Sequence, residues 1–280
     1  WATPENDKQP TYANNRYSCQ FCRSDNQIAL TRAGKIAGRN DDIAIHAYEA
    51  IHVTGDCTDV DAMERVETAR HQAWLDTLVA PLREAGLKVV VEVEWTPLWR
   101  DAIAPAALRA GASLIIKAAN ARTGAQRRLL KTADWTLLRN APCPVYQIKK
   151  DEISTNIKVL MAIDMSRDDA LHTQLNDLVI GYGKALLVGA SIYAVNAYSS
   201  ADNYIYKDDL AAKAGIDAAN AYTIEGPPEK VIPEIAEQIE ADIVIVGTAA
   251  RDGTKAAMIG NTAEKILDAI AINILTVNVS

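Results

Sequence analysis

Phenylalanine is nearly absent from this chain: Phe21 stands alone among 280 residues. Aromatic residues total 6%, so no aromatic ligand cage is expected and aliphatic side chains must build the core. Cysteine is scarce as well. Cys19, Cys22, Cys57 and Cys143 make no disulfide framework, and a reducing, cytoplasmic location fits them best. The aliphatic runs are strand-sized, residues 243–246 being typical, so no segment reaches the roughly 20 apolar residues of a membrane span. Positive charge is in deficit, 29 Lys and Arg against 36 Asp and Glu. A net charge of −7 has the wrong sign to attract a phosphate backbone, so no nucleic-acid partner is expected. The opening residues 1–6 show no basic stretch followed by an apolar core and are not read as a secretory signal. They also lack an initiator Met, which leaves processing, truncation and incomplete representation open.

What is present is a repeat. With about 150 residues per domain the chain holds one or two domains, and 49% hydrophobic and 23% charged residues suit an ordinary globular protein. A shift of 129 places residues 97–150 on 226–279 without a gap. It aligns Ala112-Ser-Leu-Ile-Ile116 with Ala241-Asp-Ile-Val-Ile245, and Cys143-Pro-Val-Tyr-Gln-Ile148 with Ile272-Asn-Ile-Leu-Thr-Val277. Upstream, His46-Ala-Tyr-Glu-Ala50 matches Tyr193-Ala-Val-Asn-Ala197 at a shift of 147. The chain is a tandem duplication. Its second copy has 18 fewer residues between the second and third strands.

Both copies alternate aliphatic runs with amphipathic segments. In the second, residues 159–164, 191–198, 221–224, 243–246 and 272–279 read as strands, and their continuous apolar character suits parallel strands buried on both faces. Residues 169–184 and 262–269 read as helices. A third carries Val231, Ile232, Ile235 and Ile239 on one stripe, with Pro228 and Pro233 placing its start. In the first copy, residues 59–85 form a long helix, and 88–95, 113–118 and 145–149 are strands. Its first strand, residues 17–22, is too polar for a doubly buried position. Residues 150–156 join the copies, so the expected domains are 1–150 and 151–280. The alternation implies doubly wound α/β layers with right-handed crossovers. The shortened connection at 199–220 is expected to leave a sheet face partly open, and 199–213 to be the most mobile segment and to border the binding crevice.

Ligands in such folds lie beyond the carboxyl ends of the strands, where chain direction switches. There the second copy offers Asp164 and a loop from Gly247 to Gly260. Asn261-Thr-Ala-Glu264 then reads as a capping box at a helix start, whose free N–H groups favour a phosphate. Bare backbone at Gly247 and Gly260 would let an anionic ligand approach. The segment from Gly247 through Thr248, Ala250, Gly260, Asn261 and Thr262 resembles the G-x2-G-x9-G-(S/T) nucleotide-binding loop of the universal stress protein family. The tandem layout resembles the two-domain type of that family.

That resemblance implies an adenine-nucleotide alpha-hydrolase-like fold, with a five-stranded parallel sheet per domain. It also implies that the two domains pair by pseudo-twofold symmetry through their last strands, much as single-domain members dimerise. It implies ATP as the ligand, with Asp164 near adenine and ribose. Two departures accompany it. Ala250 replaces the second glycine, and Asn261 replaces the usual Ser or Thr. By the 129-residue shift the first copy carries Ala118, Ala121, Lys131 and Thr132 at the loop positions, with Cys22 at the place of the acid. It is expected to be a scaffold that has lost nucleotide binding.

Other features have plainer readings. Asp164 could merely close a strand, and Asn261 with Glu264 merely start a helix. Cys19-Gln-Phe-Cys22 lacks a second pair for zinc, and residues three apart on a strand face opposite ways, so free thiols are expected; a redox approach of Cys57 to Cys22 is the weaker alternative. His46, His52, His71 and His172 show no ligand spacing and read as structural. Arg127, Arg128 and Lys131 form a basic patch, solvated or facing an acidic partner. Trp95, Trp99 and Trp135 read as packing residues. The functional expectation is a cytoplasmic stress-response protein that binds an adenine nucleotide in its second domain and acts through protein partners, with homodimerisation open. The alternatives are a module binding an apolar ligand or protein, and a slow ATPase, for which no general base, metal quartet or nucleophile pair stands out.

Overall fold

A computed structural model of the chain describes residues 27–52, 59–99, 101–119, 137–138, 140–151, 155–185, 189–249 and 261–279. The chain divides into two compact units, Trp1–Ile148 and Lys149–Ser280.

In the second unit the apolar runs become strands because each is long enough to cross the sheet and has no polar face to hydrate. These are β5 (Lys158–Ala162), β6 (Ser191–Tyr198), β7 (Ala221–Glu225), β8 (Ile243–Ala249) and β9 (Asn273–Val279). They form a five-stranded, wholly parallel array in the order β9-β8-β5-β6-β7. Val159, Leu160 and Met161 of the central strand are completely buried, each contributing about 2 kcal/mol of apolar burial. The chain leaves β5 toward β6 on one side and returns to β8 on the other. Right-handed crossovers therefore put α4 (Ala170–Ala185) and α5 (Lys207–Ala214) on one face, and α6 (Pro228–Gln238) and α7 (Asn261–Ala269) on the opposite face. An ion pair of 3.1 Å from Lys265 to Glu229 ties α7 to α6. The expected stripe of α6 is the buried one: Val231, Ile232, Ile235 and, just past the helix end, Ile239. This is the doubly wound α/β fold expected.

The shortened connection after β6 covers its sheet face more fully than its length suggests. A 3-10 turn at Ala201–Asn203 leads into α5, which buries Leu210, Ala211 and Ala214. Gly215 ends that helix at φ 64°, ψ 46°, a left-handed conformation that a Cβ disfavours.

In the first unit the elements are α1 (Ile28–Ala37), β1 (Ala44–Ile51), α2 (Val60–Glu84), β2 (Lys88–Trp95), α3 (Ile103–Arg109), β3 (Ile115–Ala118) and β4 (Val145–Ile148). Asp59 caps α2 by accepting from the Ala62 N–H at 2.9 Å. Strands β1 and β2 pair in parallel, as do β3 and β4. Ile115 faces Val145 across β3–β4, and Val244 faces Ile274 across β8–β9, so the 129-residue repeat preserves register. The strand expected at 17–22 lies outside the described residues, with Cys19, Cys22, Cys57, Ala121, Arg127, Arg128, Lys131, Thr132 and Trp135. Cys143 is a buried free thiol whose pKa burial pushes up to about 12. Trp95 meets His52 edge-on, with ring centroids 5.6 Å apart. Among the described residues no helix is long and apolar enough to cross a membrane, and no group of three or more His, Cys, Asp or Glu could hold a metal ion.

Candidate functional site

The second unit's switch point lies between β5 and β8, the central strands, whose connections run to opposite sides of the sheet. A cavity of about 890 Å³ opens there, within the size range of small-molecule sites. Its walls are aliphatic, with Leu171, Leu175 and Val179 from α4, Ile232 from α6 and Ile266 from α7. Asp164, Arg167, His172 and Asn203 supply polarity.

Asp164 reaches this place because β5 ends at Ala162 and the next residues turn out of the sheet. Asn176 of α4 grips the turn. Its Oδ1 accepts from the Asp164 N–H at 3.1 Å, while its Nδ2 donates to the Asp164 carbonyl at 2.8 Å. Asn196 of β6 accepts from the Met165 N–H at 3.0 Å through its own Oδ1. Two buried amides thus satisfy backbone groups that would otherwise be costly to leave unpaired. The Asp164 carboxylate is about half exposed. Its Oδ1 accepts from the Ser166 N–H at 3.0 Å and from the Ser166 hydroxyl, the turn-closing habit of Asp. Its Oδ2 lies 3.9 Å from Arg167 Nε.

Gly247 sits on β8 opposite α4. A Cβ added there would meet Leu175 at 3.4 Å, an ordinary contact, so the glycine widens the crevice without being required by strain. Thr248 also borders the cavity, but its hydroxyl donates to the Val277 carbonyl at 3.3 Å and serves the β8–β9 pairing. Asn261 and Thr262 open α7, one residue earlier than expected; their side chains lie outside the described residues, as do Ala250 and Gly260. Ala263, on the first turn of α7, lines the cavity. The structure therefore gathers Asp164, Gly247 and Thr248 at one crevice.

Sequence reasoning missed Arg167, Asn176 and Asn196, and gave His172 only a structural role. His172 Nδ1 lies 2.7 Å from Asp169 Oδ2, and its Nε2 lies 3.2 Å from Arg167 Nη1. The hydrogen bond from His172 holds the Asp169 carboxyl below its usual range. Asn196 did leave a signal, since a lone amide inside Ala194-Val195-Asn196-Ala197 breaks an apolar run.

The first unit differs at the matching places. Lys117, 1% exposed, occupies the position of Val246, and Ala118 that of Gly247. Glu49 replaces Asn196 and hydrogen-bonds His71 Nδ1 of α2 at 2.8 Å, both side chains buried.

Comparison with known proteins agrees with this architecture. A model of the universal stress protein family matches residues 23–149 and 176–278. Universal stress protein E of Escherichia coli K12 is 28% identical, covering 77% of this chain and 76% of that protein. The Photorhabdus laumondii protein of the same name is 27% identical, covering 90% of this chain and 91% of its own. A crystal structure from Pseudomonas aeruginosa UCBPP-PA14, named for the same family, has a TM-score of 0.74 at 26% identity. It covers 93% of this chain and 90% of that one.

Proposed function

The chain belongs to the universal stress protein family, and on that premise we propose that its second domain, residues 151–280, binds an adenine nucleotide such as ATP. The first domain, residues 1–150, is a degenerate copy that retains the scaffold without the ligand. The protein acts in the cytoplasm as a stress-response component, passing the occupancy of its nucleotide site to protein partners.

The supporting observation is the cavity of about 890 Å³ at the sheet's switch point, which joins Asp164 to Gly247. In this reading Asp164 faces the ribose and adenine. Thr248 shapes the strand end, and the loop through Ala250 and Gly260 to Asn261 and Thr262 carries the phosphates on backbone N–H groups. Equilibrium dialysis of the full chain against ATP tests it. One equivalent retained per chain, weakened about tenfold or more by Asp164→Ala, is the expected result. Absence of retention overturns the proposal, as does retention indifferent to Asp164.

The aliphatic walls from Leu171, Leu175, Val179, Ile232 and Ile266 favour one other reading, a small apolar ligand in the same crevice. Mass spectrometry of what co-purifies with the chain separates the two.

A further inference from the structure

One edge of the cavity carries an ordered run of charge that no nucleotide loop requires. Asp169 precedes α4, and both of its carboxylate oxygens lie within 2.9 Å of His172 Nδ1. Asp169 Oδ1 also accepts from the His172 N–H at 3.1 Å, so the carboxylate fixes both the backbone and the ring. A carboxylate only accepts, hence Nδ1 is the protonated nitrogen. At the other end of the ring stands Arg167 Nη1, 3.2 Å from Nε2. A guanidinium only donates, so Nε2 presents its lone pair to Arg167. Arg167 is in turn 3.9 Å from Asp164 Oδ2. The sequence acid, imidazole, guanidinium, acid thus runs along the wall, and Asp164, Arg167 and His172 all border the cavity.

The guanidinium is the incompletely used member. Its Nη1 spends a hydrogen bond on an imidazole, and its Nε is beyond hydrogen-bonding distance of Asp164. The side chain is 62% exposed, so turning toward the cavity costs little burial. Its planar fork matches the paired oxygens of a phosphoryl group, which would supply the charged acceptors now missing.

We propose that Arg167, positioned by His172 and Asp169, is an anion subsite of this crevice and selects phosphorylated ligands over their neutral counterparts. The inference rests on the nucleotide reading for the rest of the ligand, and places one phosphoryl group at the α4 side of the cavity. Asp164 stays with the neutral end, because its carboxylate would repel the phosphate.

Isothermal titration of the full chain with adenosine, ATP and inorganic pyrophosphate tests the subsite separately from the nucleoside pocket. Arg167→Gln is expected to weaken ATP and pyrophosphate about tenfold while leaving adenosine within about twofold. Arg167→Lys should restore part of the loss, because a point charge replaces a bidentate fork. His172→Gln should weaken ATP by a smaller factor, since it removes only the orienting partner. Equal weakening of adenosine and ATP overturns the proposal, as does indifference of both to Arg167→Gln. Binding of pyrophosphate without adenosine retains the subsite and rejects the nucleotide reading. Binding of adenosine without pyrophosphate or any preference for ATP retains the pocket and rejects the subsite. Failure of the wild-type chain to bind ATP or pyrophosphate rejects it as well. Thermal melts of each variant confirm that the exposed substitution leaves the fold intact.

Discussion

Glu49 in β1 and Asn196 in β6 occupy the same place in two copies of one strand, and each is a buried polar residue among aliphatic neighbours. Glu49 turns to His71 on the long helix α2 and locks strand to helix. Asn196 turns to the Met165 N–H and holds the loop that carries Asp164. One polar position serves packing in the first unit and holds the Asp164 turn in the second. A second strand tells the same story, with Lys117 buried where Val246 lines the crevice and Ala118 where Gly247 leaves it open. Between two copies of one fold, substitution at a few positions beside the strand ends changes what the buried polar side chains hold.

Two alanine variants, one in each unit, break this comparison most strongly. Glu49→Ala removes the buried carboxylate that hydrogen-bonds His71 Nδ1 and should cost about 1–3 kcal/mol. Urea unfolding followed by tryptophan fluorescence reads this directly, because all five tryptophans lie at or before Trp135 and report the first unit alone. Asn176→Ala in the second unit removes both bonds to the Asp164 backbone. It should cost about 1–3 kcal/mol in the circular-dichroism transition and leave the tryptophan transition in place. It should also weaken ATP, whereas Glu49→Ala should not.

A smaller effect sharpens the contrast between the two connections. The short one in the second unit depends on Gly215 in its left-handed conformation, and Gly215→Ala should lower the melting free energy by about 1 kcal/mol. The smallest effect is one of pH. Burial of His46 depresses its pKa below the ordinary 6.5, against the attraction of Glu92. The unfolded chain therefore takes up this proton first as pH falls. The contribution of His46 is present above pH 6.5 and declines as pH drops toward the lowered folded value. Tryptophan-detected stability should fall over that window, and His46→Gln should flatten the slope.

The repeat, the helix order of the second copy and the strand bounds at 88–95 and 191–198 were legible because both strands are rich in β-branched and aromatic residues, even though Lys88–Trp95 buries none of its own. Strand β8 runs on to Ala249, past the expected Val246, because Thr248 and Ala249 still pair with β9. Strand β5 stops at Ala162, since Asp164 closes its own turn and Asn176 takes up the Asp164 backbone groups. Asp164 and Gly247 could be read from their places at strand ends. Arg167, His172 and Asn176 could not: Ser166-Arg-Asp-Asp is indistinguishable from a solvated helix start until α4 packs on β5 and β8. That packing is a tertiary event, and no local pattern encodes which face of a first helical turn meets a cavity.

The central claim, one nucleotide crevice in a two-copy fold, is tested most directly by photolabelling the full chain with 8-azido-ATP and mapping the modified peptides. The account predicts ATP-competed label on peptides spanning residues 162–176, 195–203 or 246–266, with none from residues 1–148. Competed label on peptides containing Glu49 or Lys117 would contradict it.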